Sequence, residues 1–218
     1  MATIIHHVRR FKHHLYTVHI HGVHVTVTVT ASASVVKRWL SSTLYFRRRY
    51  AYLNRLVVGL GVQWTPGGSN PPADTLQLCI GRRCLVFQLA RADHVPTCLR
   101  TFLNHPFHTF VGFWNHSDRR KLESSEHCLE MWRDPLDLRL WAETVDDDDD
   151  ESLARASVEV IIEKCLDYEV EQRSEISMSD WDRKYLSHDQ VVYATVDAHC
   201  AFLIGRNSRL WKLQIQEV

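Results

Sequence analysis

The first third of this sequence lacks acidic side chains. Residues 1–73 contain nine Lys and Arg but no Asp or Glu. All 26 acidic residues therefore lie in the remainder, where they face 17 bases, so a net charge of zero conceals a basic first third and an acidic remainder. Such asymmetry is typical of nucleic-acid binding or of unlike surfaces that associate, and both interpretations stay open.

Long apolar runs and paired cysteines are also missing. No apolar run reaches the roughly 18 residues that a membrane helix needs, and no long apolar region follows the basic first residues. We therefore expect neither membrane association nor a secretory signal. The six Cys residues form no CxxC pair, so we predict reduced, partly buried thiols rather than disulfides, in a cytoplasmic or nuclear protein.

The first 55 residues predict a basic hairpin and helix. Apolar and polar residues alternate over 15–30, which indicates a β-hairpin that turns at His21 and Gly22. A helix is expected from Ser32 or Ser34 to about residue 54, with Arg47–Arg49 near its end. These Arg side chains suit the negative end of the helix dipole or, alternatively, a phosphate contact.

The rest of the chain predicts strands and helices of one α/β domain, taken as residues 1–218. Strand patterns cover 56–64, TLQLCI, CLVFQLA, FVGFWN and a short stretch within 134–142. Helices are expected at 94–104, from 117, at about 152–167 and at 187–204. This order predicts a mixed sheet with helices packed against it.

Two clusters offer metal sites outside these patterns. His19, His21 and His24 lie around the hairpin turn, where a zinc site competes with a plain polar outer face because no acid or Cys is near in sequence. The acidic run from Asp146 to Glu151 can be a solvated segment or a cation site, and repulsion between its like charges favours the solvated segment.

Three further segments carry the residue types that phosphodiester hydrolysis requires. Two-metal hydrolysis needs carboxylates from separate elements, because ions about 3.5–4 Å apart stabilise the attacking and leaving oxygens. VVGLGVQW (57–64), FVGFWNHSDRRKL (110–122) and SDWDRKYLSHDQVVYATVDAH (179–199) resemble, in order, the three motifs of a family built on this chemistry. The third segment is the most specific, since it combines a Leu-Ser-x-x-Gln helix start with Tyr-x-x-x-Asp.

Through these motifs the chain resembles the DEDDy branch of 3′–5′ exonucleases, which includes ribonuclease D and the Werner-type exonuclease domain. The resemblance runs from about 56 to 205 and implies a ribonuclease-H-like fold that uses Mg²⁺ or Mn²⁺, with residues 1–55 as an extension. More narrowly, the chain is similar to plant RISC-interacting clearing 3′–5′ exoribonucleases. That similarity implies a ring-shaped homohexamer that acts on short single-stranded RNA, with Argonaute or RISC as a partner.

The resemblance assigns a role to each matching residue. Asp118 and Asp197 match the metal ligands of the second and third motifs, and Tyr193 matches the tyrosine that orients the attacking water. Tyr193 and Asp197 are four residues apart on the predicted helix, so their side chains share a face.

Candidate RNA contacts flank these motifs: Trp64, His116, Arg119 and Arg120. Trp64 and Trp114 can stack on bases, but their apolar strands favour core packing instead. For His116 and the two Arg side chains, a solvated position is the alternative.

The first motif departs from the family pattern. Gly61 stands where the family has Asp, and Gln63 where it has Glu, so the site loses two negative charges and two divalent ions would repel each other with little to hold them. A neighbouring subunit can supply the missing ligands, or one ion held by Asp118 and Asp197 can support slow turnover. Alternatively, the protein no longer cuts and serves as an RNA-binding module or scaffold.

Overall fold

The computed structural model describes residues 2–145 and 155–215, and its centre is an eight-stranded mixed sheet. In chain order the strands are β1 (Thr3–Arg9), β2 (His14–Ile20), β3 (Val23–Thr30), β4 (Val57–Gln63), β5 (Thr75–Ile80), β6 (Arg83–Gln88), β7 (Thr109–Gly112) and β8 (Leu136–Asp137). Across the sheet they follow the order β1-β2-β3-β6-β5-β4-β7-β8. β4 pairs antiparallel with β5 and parallel with β7, which places the first-motif strand inside the sheet.

Helices cover both faces of this sheet. They are α1 (Ala33–Tyr52), α2 (Thr97–Leu103), α3 (Asp118–Glu123), α4 (Leu138–Val145), α5 (Val158–Leu166), α6 (Ser174–Ser177), α7 (His188–Asn207) and α8 (Trp211–Ile215), with a short 3₁₀ turn at Leu89–Arg91. The mixed sheet with flanking helices confirms the predicted fold class. In the part of the chain that the structure describes, no helix has both the length and the apolar character to cross a membrane.

The predicted hairpin is present as β2 and β3, with the left-handed residues His21 and Gly22 at its turn. Sequence reasoning missed β1, which adds to the edge of this hairpin. Ile4 and Ile5 are adjacent and the register shifts between Ile4 and His6, so the segment lacks the strict alternation that marks a half-buried strand.

Two apolar layers form on opposite faces of β4 because its side chains alternate. Val58, Leu60 and Val62 belong to the core under α1 and α2, whereas Val57 belongs to the core under α5 and α7. Gly59 and Gly61 lie on the α7 side. A Cβ at Gly59 would overlap the carbonyl oxygen of Ala198, so the missing side chain lets α7 lie directly on the strand.

The helix of the third motif is positioned by its own first turn. Ser187 accepts a hydrogen bond from the backbone N–H of Gln190, and the Gln190 side chain accepts one from the backbone N–H of Ser187. This capping box fixes the start of α7 one residue after the predicted start. Gln190 also donates to the Ser179 hydroxyl and to the Asp180 carbonyl, which ties the preceding loop to the helix.

Several predicted boundaries were wrong. β7 ends at Gly112 rather than Asn115, because the backbone turns through a left-handed Trp114. A helix, α4, directly follows the two-residue β8, where only a strand and a connection were predicted. α5 begins at Val158 rather than near residue 152, since Ser157 caps it through the N–H of Val160. The acidic run at 146–151 lies outside the described residues.

Candidate active site

The first-motif strand faces the third-motif helix at Gly61. A Cβ on Gly61 would lie 3.1 Å from Asp197 Oδ2 and 2.8 Å from Gln77 Oε1. Gln77 is the register partner of Gly61 on β5, and its Oε1 is buried with no hydrogen-bond partner in the described part of the chain. The position at which the resembled family has its first Asp is therefore bordered by two side-chain oxygens.

Gln63 is two residues further along β4 and shares the face of Gly61. Its side chain is buried at the end of the strand, where its backbone carbonyl accepts from the N–H of Asp74. Both altered positions of the first motif thus lie on the side of the sheet that α7 covers.

Asp118 of the second motif lies close to Asp197. It is the first residue of α3, a few residues after β7, and its side chain is buried. Burial raises the pKa of the Asp118 carboxyl, and the negative charges of Asp197 and Asp137 raise it further, while the Lys121 ammonium opposes the shift. The three motifs therefore meet at one point of the fold.

Asp197 is likewise buried. Burial under the sheet raises the pKa of its carboxyl to about 7. With Asp118 shifted in the same direction, the two groups retain protons under conditions in which exposed carboxyls have lost theirs. The site therefore has too little positive charge to keep both carboxyls ionised.

This pKa shift predicts a pH-dependent gain of stability in Asp197→Asn. A carboxyl whose folded-state pKa exceeds its unfolded value holds extra protons when folded, so its contribution falls as pH rises from about 4 to 7. The amide of the Asp197→Asn variant carries no charge, so the variant does not lose stability in this way as pH rises. In EDTA we expect the advantage of the variant over wild type to grow by about 2–3 kcal/mol between pH 5 and pH 8, or about 5–10 °C in Tm.

Thermal unfolding at the two pH values measures this difference. The matched control is Asp134→Asn, since Asp134 is exposed and lies outside the motifs. Its Tm difference from wild type at each pH sets the background against which the Asp197 variant is compared. A parallel pH response in both variants would contradict the assignment of the shift to burial of Asp197.

Tyr193 lies one helical turn before Asp197. Burial raises the pKa of its phenol to about 12, and the negative charges of Asp197 and Glu159 add to the shift, while a hydrogen bond with Ser177 opposes it. The ring lies 6.1 Å from that of Trp181, measured between centroids. The phenol therefore stays protonated at neutral pH and is able to donate a hydrogen bond.

The loop before α7 is held against the end of β4 by two residues that sequence reasoning missed. The Thr65 hydroxyl donates to Asp74 Oδ2 at 2.6 Å and accepts from the backbone N–H groups of Trp181 and Asp182. This contact joins the first motif to the start of the third, 116 residues later. No local pattern marks Thr65 or Asp74, because their partners are distant in sequence.

Asp137 is a further carboxylate near the site that the sequence did not single out. Both of its carboxylate oxygens accept hydrogen bonds from the Arg139 guanidinium, and Oδ1 also accepts from the Arg139 backbone N–H. This ion pair is largely buried, with an Oδ2–Nη2 distance of 2.6 Å. The charge of Asp137 contributes to the raised pKa of Asp118. The Asp-x-Arg spacing within 137–139 is the only sequence signal for this pair.

The two tryptophans differ in exposure. Trp64 is partly buried, and Lys121 Nζ lies 4.0 Å from the centre of its ring. Trp114 is 43% exposed with the Arg139 guanidinium 3.5 Å above its ring, so the expectation of core packing was wrong for this residue. Both rings lie next to motif residues.

The structure places the other three candidate RNA contacts in two different environments. His116 and Arg120 are exposed beside Asp118. Arg119 pairs with Glu123 at 2.9 Å and lines a different cavity, together with Asn104 and Trp132. His116 and Arg120 therefore stay candidate contacts, while Arg119 is engaged within its own helix.

The donor set suits one hard cation better than two. Among the residues that the structure describes, no three His, Cys, Asp or Glu side chains form a metal-binding group, and His21 instead stacks on Tyr168. Asp118 and Asp197 supply two buried carboxylates, and Gln77 Oε1 adds an unpaired neutral oxygen. Oxygen donors of this kind match Mg²⁺ or Mn²⁺, but the described residues at this site offer too few for a second ion.

The chain resembles known proteins at two levels, in sequence and in fold. No family model matches the sequence. A 3′–5′ exonuclease of Drosophila grimshawi is 25% identical over 186 residues, which cover 82% of this chain and 52% of that protein. The chain spans about half the length of the curated relatives it matches.

Solved structures share the fold. The Nibbler EXO domain of Aedes aegypti superposes with a TM-score of 0.64 at 16% identity, over 87% of this chain and 90% of that domain. Escherichia coli RNase D, an exoribonuclease involved in structured RNA processing, gives a TM-score of 0.64 at 12% identity, over 87% of this chain and 45% of RNase D. The fold is that of a ribonuclease-H-like exonuclease domain. The curated proteins that the chain resembles in sequence are 3′–5′ exonucleases.

Proposed function

We propose that this chain is a metal-dependent 3′–5′ exoribonuclease domain that shortens single-stranded RNA. The observation that carries the proposal is the convergence of Gly61, Asp118 and Asp197 from three separate elements, with Tyr193 one turn away. A fold that only needed stability would replace buried, mutually repelling carboxyls with apolar groups, because their charged forms are costly to bury.

The chemistry requires positive charge beside the two carboxylates. Asp118 and Asp197 would hold one Mg²⁺ or Mn²⁺ ion, which stabilises negative charge on the scissile phosphate when bound. Tyr193 keeps its proton and would orient the attacking water by a hydrogen bond. Trp64, His116 and Arg120 would contact the RNA beside these groups.

We further propose that a neighbouring subunit completes the site. The missing carboxylates at Gly61 and Gln63 leave the donor set short, and the basic first third and acidic remainder offer complementary surfaces for assembly. By resemblance to the plant RISC-clearing exoribonucleases, the assembly would be a ring-shaped homohexamer. RISC-associated RNA fragments would be the substrates and Argonaute the partner, in the cytoplasm or the nucleus.

An RNA-binding protein or scaffold without activity is the second candidate. The absence of both first-motif carboxylates favours it, because Gly61 offers no ligand and Gln63 only a neutral oxygen. Under this candidate, RNA affinity is independent of metal.

The deciding experiment uses 5′-labelled single-stranded RNA with purified protein in Mg²⁺, in Mn²⁺ and in EDTA. A ladder that shortens from the 3′ end only with metal supports the exoribonuclease. An intact band in all three conditions, together with RNA binding in EDTA, supports the inactive binding module. Labelled single-stranded DNA of the same sequence tests whether the sugar is recognised.

A further inference from the structure

A basic cavity lies away from the carboxylate site, between the end of α1, the β5–β6 turn and the later turns of α7. Its volume is about 660 Å³, and four Arg side chains line it: Arg47, Arg82, Arg83 and Arg206. No Asp or Glu is among its lining residues, all of which are described. Along α7, Arg206 lies about 14 Å from Asp197 at the usual rise per residue.

The arginines of this cavity have only neutral partners among the hydrogen bonds of the described residues. Arg83 donates to the Ser42 hydroxyl at 2.8 Å, and Arg206 donates to the Asn207 side chain at 2.9 Å. A Cβ at Gly81 would overlap the Arg47 guanidinium, so the missing side chain leaves room for Arg47 in the cavity wall. Several guanidinium groups that converge without carboxylates form a site for an anion such as phosphate.

Two buried polar atoms in the same wall lack partners. Among the described residues neither Thr43 Oγ1 nor His199 Nε2 finds a hydrogen-bond partner, although each residue is only 1% exposed. An unpaired buried polar atom is costly, and a ligand with hydrogen-bonding groups would relieve that cost.

Aromatic rings complete the lining. Phe46 is 69% exposed at the cavity mouth, with the Arg83 guanidinium 6.0 Å from its ring centre. Phe202 and Tyr168 lie further along the wall. An exposed ring beside guanidinium groups is the combination on which nucleic-acid bases stack while their phosphates are neutralised.

We propose that this cavity binds a nucleoside 5′-phosphate, either free or as the 5′-terminal nucleotide of an RNA chain. Its volume falls in the usual range of small-molecule sites. Arg47 and Arg82 hold the phosphate, and the base stacks on Phe46. The site is independent of the proposed catalysis, because none of its lining residues belongs to the carboxylate cluster.

Titration calorimetry of the full chain in EDTA tests the proposal with adenosine 5′-monophosphate and with adenosine as probes. We expect the monophosphate to bind at least about 10-fold more tightly than adenosine, since a charge-assisted contact contributes at least that factor. Arg47→Gln/Arg82→Gln should weaken the monophosphate by at least about 10-fold. Arg48→Gln, the same change on an exposed neighbour outside the cavity, and Asp118→Asn, in the carboxylate site, should both bind as wild type does.

The source of the phosphate is decided with six-nucleotide RNA that carries either a 5′-phosphate or a 5′-hydroxyl, again in EDTA. Tighter binding of the phosphorylated RNA, lost in Arg47→Gln/Arg82→Gln, supports an RNA end as the occupant. Binding of the monophosphate alone supports a free nucleotide. Equal binding of adenosine and its monophosphate, or no loss in the double variant, would overturn the proposal whether or not the protein degrades RNA.

Discussion

Asp118→Asn and Asp197→Asn are each expected to slow metal-dependent shortening of RNA by at least about 100-fold, because each removes one of the two charged ligands of the proposed ion. Both amides preserve the size of the original side chains. A loss of activity therefore reports the charge rather than packing. Asp197→Asn should lose activity while it gains stability at pH 8, since burial raises the pKa of the carboxyl to about 7.

The control for this prediction is Glu123→Gln on α3. Glu123 is exposed and pairs with Arg119, so the same loss of charge occurs on the same helix as Asp118 but outside the cluster. Its rate should stay within about twofold of wild type. If Asp118→Asn degraded RNA at the wild-type rate, the observed ladder would not arise from this site.

The third motif could be predicted from sequence because its parts are local. Ser187 and Gln190 cap the helix within one turn, and Tyr193 and Asp197 share a face by helical spacing alone. Short-range geometry of this kind does not depend on the rest of the fold. The same holds for the β2–β3 hairpin, where strict alternation and a tight turn specify the register.

The residues that surround the site come together through contacts between distant segments, so the sequence alone did not predict them. Gln77 borders Gly61 only because β5 pairs with β4 in one register. Asp137 affects Asp118 only because β8 lies beside β7. Periodicity identifies the strands of a sheet, but the order of those strands decides which polar side chains meet.

The basic cavity illustrates the same limit. The sequence offered Arg47–Arg49 as helix-end charges or phosphate contacts, without a way to choose between them. In the structure Arg47 lines the cavity, whereas Arg48 lies over the ring of Tyr45 on the same helix. Neighbouring identical residues thus acquire different roles from the direction in which the helix presents them.

Gly61→Asp/Gln63→Glu is expected to convert the site into one that depends strongly on metal for stability. A Cβ at Gly61 meets only the ends of the Gln77 and Asp197 side chains at 2.8 and 3.1 Å, so the new side chain can enter with small shifts. Without metal, four neighbouring carboxylates repel, and we expect a loss of about 2–4 kcal/mol at pH 8. With Mn²⁺ at about 100 times its dissociation constant, binding should restore about 3 kcal/mol.

Thermal unfolding in EDTA and in Mn²⁺ measures this coupling, with Gly61→Asn as a control that adds similar bulk without charge. We expect the metal to raise the Tm of the double variant by about 5–10 °C more than that of the control. If Mn²⁺ raises the Tm of both variants equally, the side chains at positions 61 and 63 do not reach the ion. Carboxylates at these positions would then not create a two-ion site. If only the double variant responds and its rate on RNA also rises, the two missing charges alone limit the chemistry. If the wild type degrades RNA, a response without a gain in rate would mean that a partner's ligands, displaced by the new carboxylates, normally complete the site.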